Sequence, residues 1–262
     1  MRDTLVIPDP RGIGYEYFNA MIKYRERVAQ VDGRTGEEET YDSLLKRSIR
    51  TAITMKSKGV RPGDFVSRCT LNELDACVIY IATLFVGAIT ANVHVTMSAQ
   101  EILCLLKQVS PKIVFVAQQC EALMEKVTRE LERQPLLVVL RQTQTNTPFA
   151  KFLESCENED AFRPREAHNM DETVFVAFTS GTTGKPKGIC HSHSSMAERF
   201  DKEQKCQIVA TFYPPTLTLF NRFIHYTILN GFKRLVFDRF DSENPWRILN
   251  YINSIVQSNK KK

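Results

Sequence analysis

Residues 59–93 read GVRPGDFVSRCTLNELDACVIYIATLFVGAITANV. Gly59 stands where a helix C-terminus wants a residue with positive φ, and Val60-Arg-Pro-Gly-Asp64 is a turn by composition. Residues 65–69 then read as a strand, 73–86 as a buried helix stopped by Gly87, and 88–93 as a second strand. The helix is apolar nearly all round, so it predicts burial on every side. The apolar run ends near Ala91, short of the roughly 20 residues a membrane helix needs. A strand, a covered helix and a second strand make a parallel crossover unit.

The same alternation extends in both directions. Upstream, Tyr41, Leu44, Leu45, Ala52 and Met55 share a helical face over residues 41–58. Downstream, Ser98-Ala-Gln-Glu101 has the form of a capping box, followed by Ile102, Leu103, Leu105 and Leu106. Residues 113–116 and 136–140 read as strands, with a helix over 121–133 between them. A second series starts at Thr173: strand 173–178, a capping box Ser195-Met-Ala-Glu198, strand 208–212, helix 216–230 stopped by Gly231, and strand 234–237. Asn244-Pro245 opens a last helix. The first 35 or so residues give no clear pattern. The expected fold class is α/β, with mixed, mostly parallel sheets covered by helices. The expected organisation is a first subdomain over 1–150, an acidic linker or surface excursion over 151–172, and a second α/β block over 173–262.

Composition narrows the classes. The chain has 262 residues, 43% hydrophobic and 25% charged, the balance of a globular protein with a real core. Net charge is +5, and Lys260, Lys261 and Lys262 account for three of those charges. No Lys/Arg face stands out, so nucleic acid is not an expected partner. The seven cysteines have no zinc or redox spacing and read as reduced core thiols of a cytosol-like compartment. No signal peptide or transmembrane segment is expected.

The segment that departs furthest from average is Thr179-Ser-Gly-Thr-Thr-Gly-Lys-Pro-Lys-Gly188. Thr179, Ser180, Thr182 and Thr183 offer hydroxyls, and Lys187 offers positive charge. Gly181, Gly184 and Gly188 let the backbone turn and approach a ligand. Backbone N–H groups in such a turn suit phosphate oxygens, and a buried strand leads into it. Gly181 to Gly184 leaves too few residues for a P-loop, and no Gly-x-Gly-x-x-Gly is present. On chemistry alone this is a phosphate-binding loop.

That segment resembles the signature of the adenylate-forming, AMP-dependent synthetase and ligase superfamily. Thr40-Tyr41, Gly59-Val-Arg-Pro-Gly-Asp64, Asn72, Gly87-Ala-Ile89 and Pro111-Lys112 follow in the order usual for that family. The likeness runs from about residue 15 to the end and is strongest to the insect luciferase-like, coumarate–CoA ligase and acyl-CoA synthetase branch. It implies an acid–thiol ligase. A fatty or aryl carboxylic acid would attack Mg-ATP to give an acyl-adenylate, and coenzyme A would then displace AMP. It implies ATP phosphate contacts at Thr179, Ser180, Gly181, Thr182, Thr183, Gly184, Lys187 and Gly188, with His193 behind them.

Two departures qualify the expectation. Where the family has Pro-x-x-His-x-x-Gly beside the acyl pocket, this chain has Pro214, Leu217 and Phe220. The family's magnesium-binding Thr-Glu motif, ribose-binding Asp and C-terminal lysine have no counterpart here, so no catalytic residue is assigned and a missing C-terminal half is expected. The alternative is an inactive, truncated nucleotide-binding or partner-binding remnant. His191-Ser-His193 lacks a third ligand, so no metal site is expected. His94, His168 and His225 read as structural. The expected location is cytoplasmic, with the peroxisome as the alternative for a full-length relative.

Overall fold

A computed structural model describes residues 8–179, 186–197, 207–240, 242–243, 246, 248–250 and 252–253. The chain opens with α1 (Ile13–Lys23), β1 (Val28–Asp32), β2 (Glu38–Thr40) and α2 (Tyr41–Ser57). It continues through β3 (Phe65–Cys69), α3 (Leu74–Val86), β4 (Ile89–Ala91), α4 (Ala99–Val109), β5 (Ile113–Val116), α5 (Glu121–Thr128) and β6 (Leu136–Val139). Then come β7 (Thr147–Pro148), β8 (Thr173–Thr179), β9 (Lys187–Ser192), α6 (His193–Ala197), β10 (Ile208–Thr211), α7 (Thr218–Asn230) and β11 (Lys233–Val236).

Two sheets result. The larger runs β7-β6-β5-β3-β4-β8-β9, parallel throughout except for β9, which returns antiparallel on β8. The smaller runs β10-β11-β1-β2, with only β2 antiparallel. The α/β class with mostly parallel, helix-covered sheets is therefore the observed architecture. The blocks 1–150 and 173–262 do not each make one sheet. β8 and β9 complete the larger sheet, while β1 and β2 join β10 and β11.

The helix read from residues 73–86 explains how the sheets are joined. Every residue of α3 from Ala76 to Val86 is buried. It packs against α1 and α2 and touches both β1 and β4. Gly87 ends it at φ +77, and a Cβ there would lie 2.6 Å from Arg165 Cδ. The stop is thus fixed both by backbone and by the neighbouring chain. The second core lies on the other face of the larger sheet, where Ile102, Leu105, Leu106 and Met124 from α4 and α5 cover Val114 and Val116.

Several boundaries differ from the sequence reading. α1 carries no capping side chain at Gly12 and buries Ile13 through Phe18 in succession. α5 stops at Thr128, not near residue 133, and the chain leaves it through turns in which Glu130 N donates to the Val127 carbonyl and Leu131 N to the Thr128 carbonyl, each at 3.2 Å. α6 starts at His193, so Ser195 is no cap. Instead Ser195 N donates to Ser192 Oγ at 3.2 Å. Cys104 and Cys190 are exposed, not core thiols, while Cys69, Cys77 and Cys120 are buried. Residues 151–172 contribute Phe152 and Phe162 to the main core. Arg50 holds Glu159 at 2.9 Å across from α2. The cap at Asn244-Pro245, Glu198 and Cys206 lie outside the described residues.

Candidate nucleotide site

The carboxyl ends of the parallel strands in both sheets are drawn together by two buried asparagines. Asn72, just past β3, donates through Nδ2 to the carbonyl of Thr211 at 2.9 Å and of Phe237 at 2.7 Å. These are the ends of β10 and β11. Asn92, just past β4, donates to the carbonyl of Pro215 at 2.8 Å, on the lead-in to α7. Its Oδ1 accepts from Arg68 N at 3.1 Å and from Arg68 Nε at 3.2 Å. An asparagine can do both because its amide carries donors and an acceptor on one short arm. In open α/β sheets, this carboxyl edge is where ligands bind.

The hydroxyl-rich segment opens at this edge. β8 lies next to β4 and ends at Thr179, which pairs with Lys187 at the start of β9. Thr179 and Lys187 are both exposed, and Thr179 Oγ1 donates to the Lys187 carbonyl at 3.4 Å. The hairpin therefore presents a hydroxyl and an ammonium together at its mouth. Ser180, Gly181, Thr182, Thr183 and Gly184 lie outside the described residues. Gly188 is also set by packing within the hairpin. It pairs with Phe178 inside the hairpin, and a Cβ there would lie 2.8 Å from Val176 Cγ1.

The structure places His193 at the far end of the same hairpin, beyond Ser192, which pairs with Thr173. Six strand residues separate it from the mouth, about 20 Å at the usual rise. It is buried, and its Nδ1 accepts from Ile13 N at 3.1 Å. Burial pushes its pKa below the ordinary histidine value. It thus works as a neutral acceptor capping α1. His191 lies between the two ends: its ring stacks on Phe175 at 5.6 Å, and Nε2 meets Thr218 Oγ1 at 3.2 Å. Burial and the nearby Arg222 lower its pKa as well. Among the described residues no cluster of three His, Cys, Asp or Glu could hold a metal ion.

The departure at Pro214, Leu217 and Phe220 has a clear packing outcome. Leu217 precedes α7 and is exposed, while Phe220 is buried in the main core. The Arg68 and Arg234 guanidinium carbons lie over its ring at 5.2 and 5.8 Å. Asn72 was legible as a familiar position. The roles of Asn92, Arg68 and Arg234 were not, because their partners sit far away in sequence.

A doubly sheeted α/β fold with a hydroxyl-rich hairpin at the carboxyl edge defines a class, and sequence comparison agrees. The family model for AMP-binding enzymes matches residues 18–255, and the chain belongs to that family. It is 27% identical over 199 residues to luciferin 4-monooxygenase of Photuris pensylvanica, covering 71% of this chain and 36% of that protein. It is 24% identical over 257 residues to 4-coumarate–CoA ligase-like 8 of Arabidopsis thaliana, covering 92% and 45%. Among solved structures, the luciferase-like enzyme of the nonluminescent mealworm Zophobas morio superposes with a TM-score of 0.86 at 30% identity. That match covers 95% of this chain and 59% of the mealworm one. The chain spans between about a third and a half of these curated relatives.

Proposed function

We propose that this chain binds ATP through residues 179–188 and serves the activation of a carboxylic acid to an acyl-adenylate, with transfer to the thiol of coenzyme A. The observation that carries the reading is the position of the segment. Four hydroxyl residues, three glycines and Lys187 follow a buried parallel strand at the edge where Asn72 and Asn92 join the two sheets. The chemistry to be met is charge on a triphosphate. Oriented N–H and O–H donors and an ammonium stabilise that charge as the α-phosphate is transferred. Thr179 and Lys187 fit this demand, since both face solvent at the hairpin mouth. Magnesium would arrive with the nucleotide and neutralise its phosphates. By this reading Ser180, Thr182 and Thr183 donate hydroxyl hydrogen bonds. The acid is fatty or aryl, and the compartment is reducing and cytoplasmic. One relative is a peroxisomal OPC-8:0-CoA ligase of Arabidopsis thaliana, which keeps the peroxisome as the alternative.

One observation favours a second reading, a chain that holds nucleotide without turning over an acid. Phe220 fills the slot where the resemblance calls for glycine beside the acyl group, and it is 1% exposed. Titration calorimetry with Mg-ATP and an ATP–pyrophosphate exchange assay with fatty and aryl acids separate the two. Exchange supports the ligase. Binding without exchange supports the nucleotide-holding module. The double variant Thr182→Val, Thr183→Val is expected to lose at least tenfold in ATP affinity, the worth of roughly 1.4 kcal/mol. Unchanged affinity overturns both readings.

A further inference from the structure

Two arginines lie in the interior, and among the described residues neither has a carboxylate within hydrogen-bond reach; the nearest link is through Gln30, which bonds both Arg234 and Glu39. Arg68 of β3 is 1% exposed and Arg234 of β11 is 2% exposed. Arg68 donates through Nε to Asn92 Oδ1 and through Nη1 to the Ala76 carbonyl, and its Nη2 has no partner. Arg234 donates through Nη2 to Gln30 Oε1, and its Nη1 has no partner. Among the described residues neither forms an ion pair. Half-buried Arg47 is treated differently: it meets Glu39 at 3.1 Å and also pairs with Asp75.

The two cations are close neighbours. Both guanidinium carbons sit over the Phe220 ring, and Arg68 also sits over Tyr80 at 5.6 Å. Ring faces attract a cation but leave its N–H groups unbonded. Burial, with the charge of Arg234 nearby, brings the Arg68 pKa down to about 10, so Arg68 remains charged at neutral pH. One residue along α7 from Phe220, Asn221 is fully buried, with neither amide atom partnered. Buried charges without a counter-charge are strongly unfavourable, and unbonded buried donors add to the cost.

We propose that a small monovalent anion of the halide class occupies this interior between β3, β11 and α7, bonded by Arg68 Nη2 and Arg234 Nη1. It restores charge balance where the protein supplies only amide and carbonyl oxygens. The class follows from the enclosure. Arg68, Tyr80, Phe220, Asn221 and Arg234 are each 2% exposed or less, which leaves no described route for a phosphate ester.

The test uses the whole chain and is independent of ATP. Crystals grown without halide and soaked in sodium bromide are expected to show an anomalous peak within hydrogen-bond reach of Arg68 Nη2. In solution, sodium gluconate is replaced by sodium chloride at constant ionic strength. The melting temperature is expected to rise by a few degrees and saturate. Arg68→Met is expected to abolish that rise and to melt no lower than the wild type in gluconate. Should Arg68→Met not fold, Arg234→Met makes the same comparison and the bromide map stands alone. A site holding only water in the bromide crystal, or equal chloride responses in wild type and variant, overturns the proposal.

Discussion

At the end of the β8–β9 hairpin, His193 ties that hairpin to the start of α1. Its Nδ1 accepts from Ile13 N only while the imidazole is neutral, and burial keeps it so by lowering its pKa from 6.5. The unfolded chain binds the proton more readily than the folded one. The contribution is therefore fully present above about pH 6.5 and is lost as pH falls toward the lower folded value. Urea unfolding at pH 7.5 and pH 5.5 is expected to show a loss of stability in the wild type and a smaller loss in His193→Asn. The residual slope includes His191, whose pKa is lowered in the same direction. An identical loss in both proteins would exclude the role. Gly188 makes a companion case. Gly188→Ala forces Val176 aside from a 2.8 Å contact and is expected to cost about 1–3 kcal/mol in the same assay.

At the scale of elements, local chemistry decided what could be read in advance. Strands β3 and β5 were expected over the same residues they occupy: β5 is a β-branched and aromatic run, and β3 follows directly on the Val60–Asp64 turn. The capping box at Ser98 is present on both sides: Glu101 N donates to Ser98 Oγ at 3.3 Å, and Ser98 N donates to Glu101 Oε2 at 2.8 Å. Ser98→Ala is expected to lower stability by roughly 1 kcal/mol, read as a drop in melting temperature. Ser195 offered the same letters and no cap, because the helix had already begun two residues earlier. The pattern is necessary and not sufficient: a cap also needs extended backbone, which Ser98 has at ψ 159. α1 escaped notice because its start carries no local signal: Gly12 offers no capping side chain, and the acceptor for Ile13 N is His193, 180 residues away. In the site, the density of hydroxyls and glycines was visible in the letters. The mouth formed by Thr179 and Lys187 needed the antiparallel return of β9.

At the scale of the molecule, the sheets share the core around α3 and meet at their carboxyl edges through buried amides, which makes that edge coupling testable. β1 pairs with β11 and β8 with β4, so both ends of the chain are woven through both layers. The covalent path alone does not set how the carboxyl edges meet. Asn72 does so directly, with one buried amide serving the ends of β10 and β11. Asn72→Ala leaves two buried carbonyls without that donor and is expected to cost on the order of 3 kcal/mol. The loss has a location as well as a size. Native-state hydrogen exchange is expected to speed up in β10, β11 and the start of α7, while β3, β5 and β6 stay protected. Their ladder runs on through Ser67, Val114 and Leu137 without reference to Asn72. Mg-ATP affinity is expected to fall in the same variant, because the hairpin mouth opens onto this edge. Uniform exchange across both sheets would mean that the layers open as one unit and that the asparagine does not set the crevice.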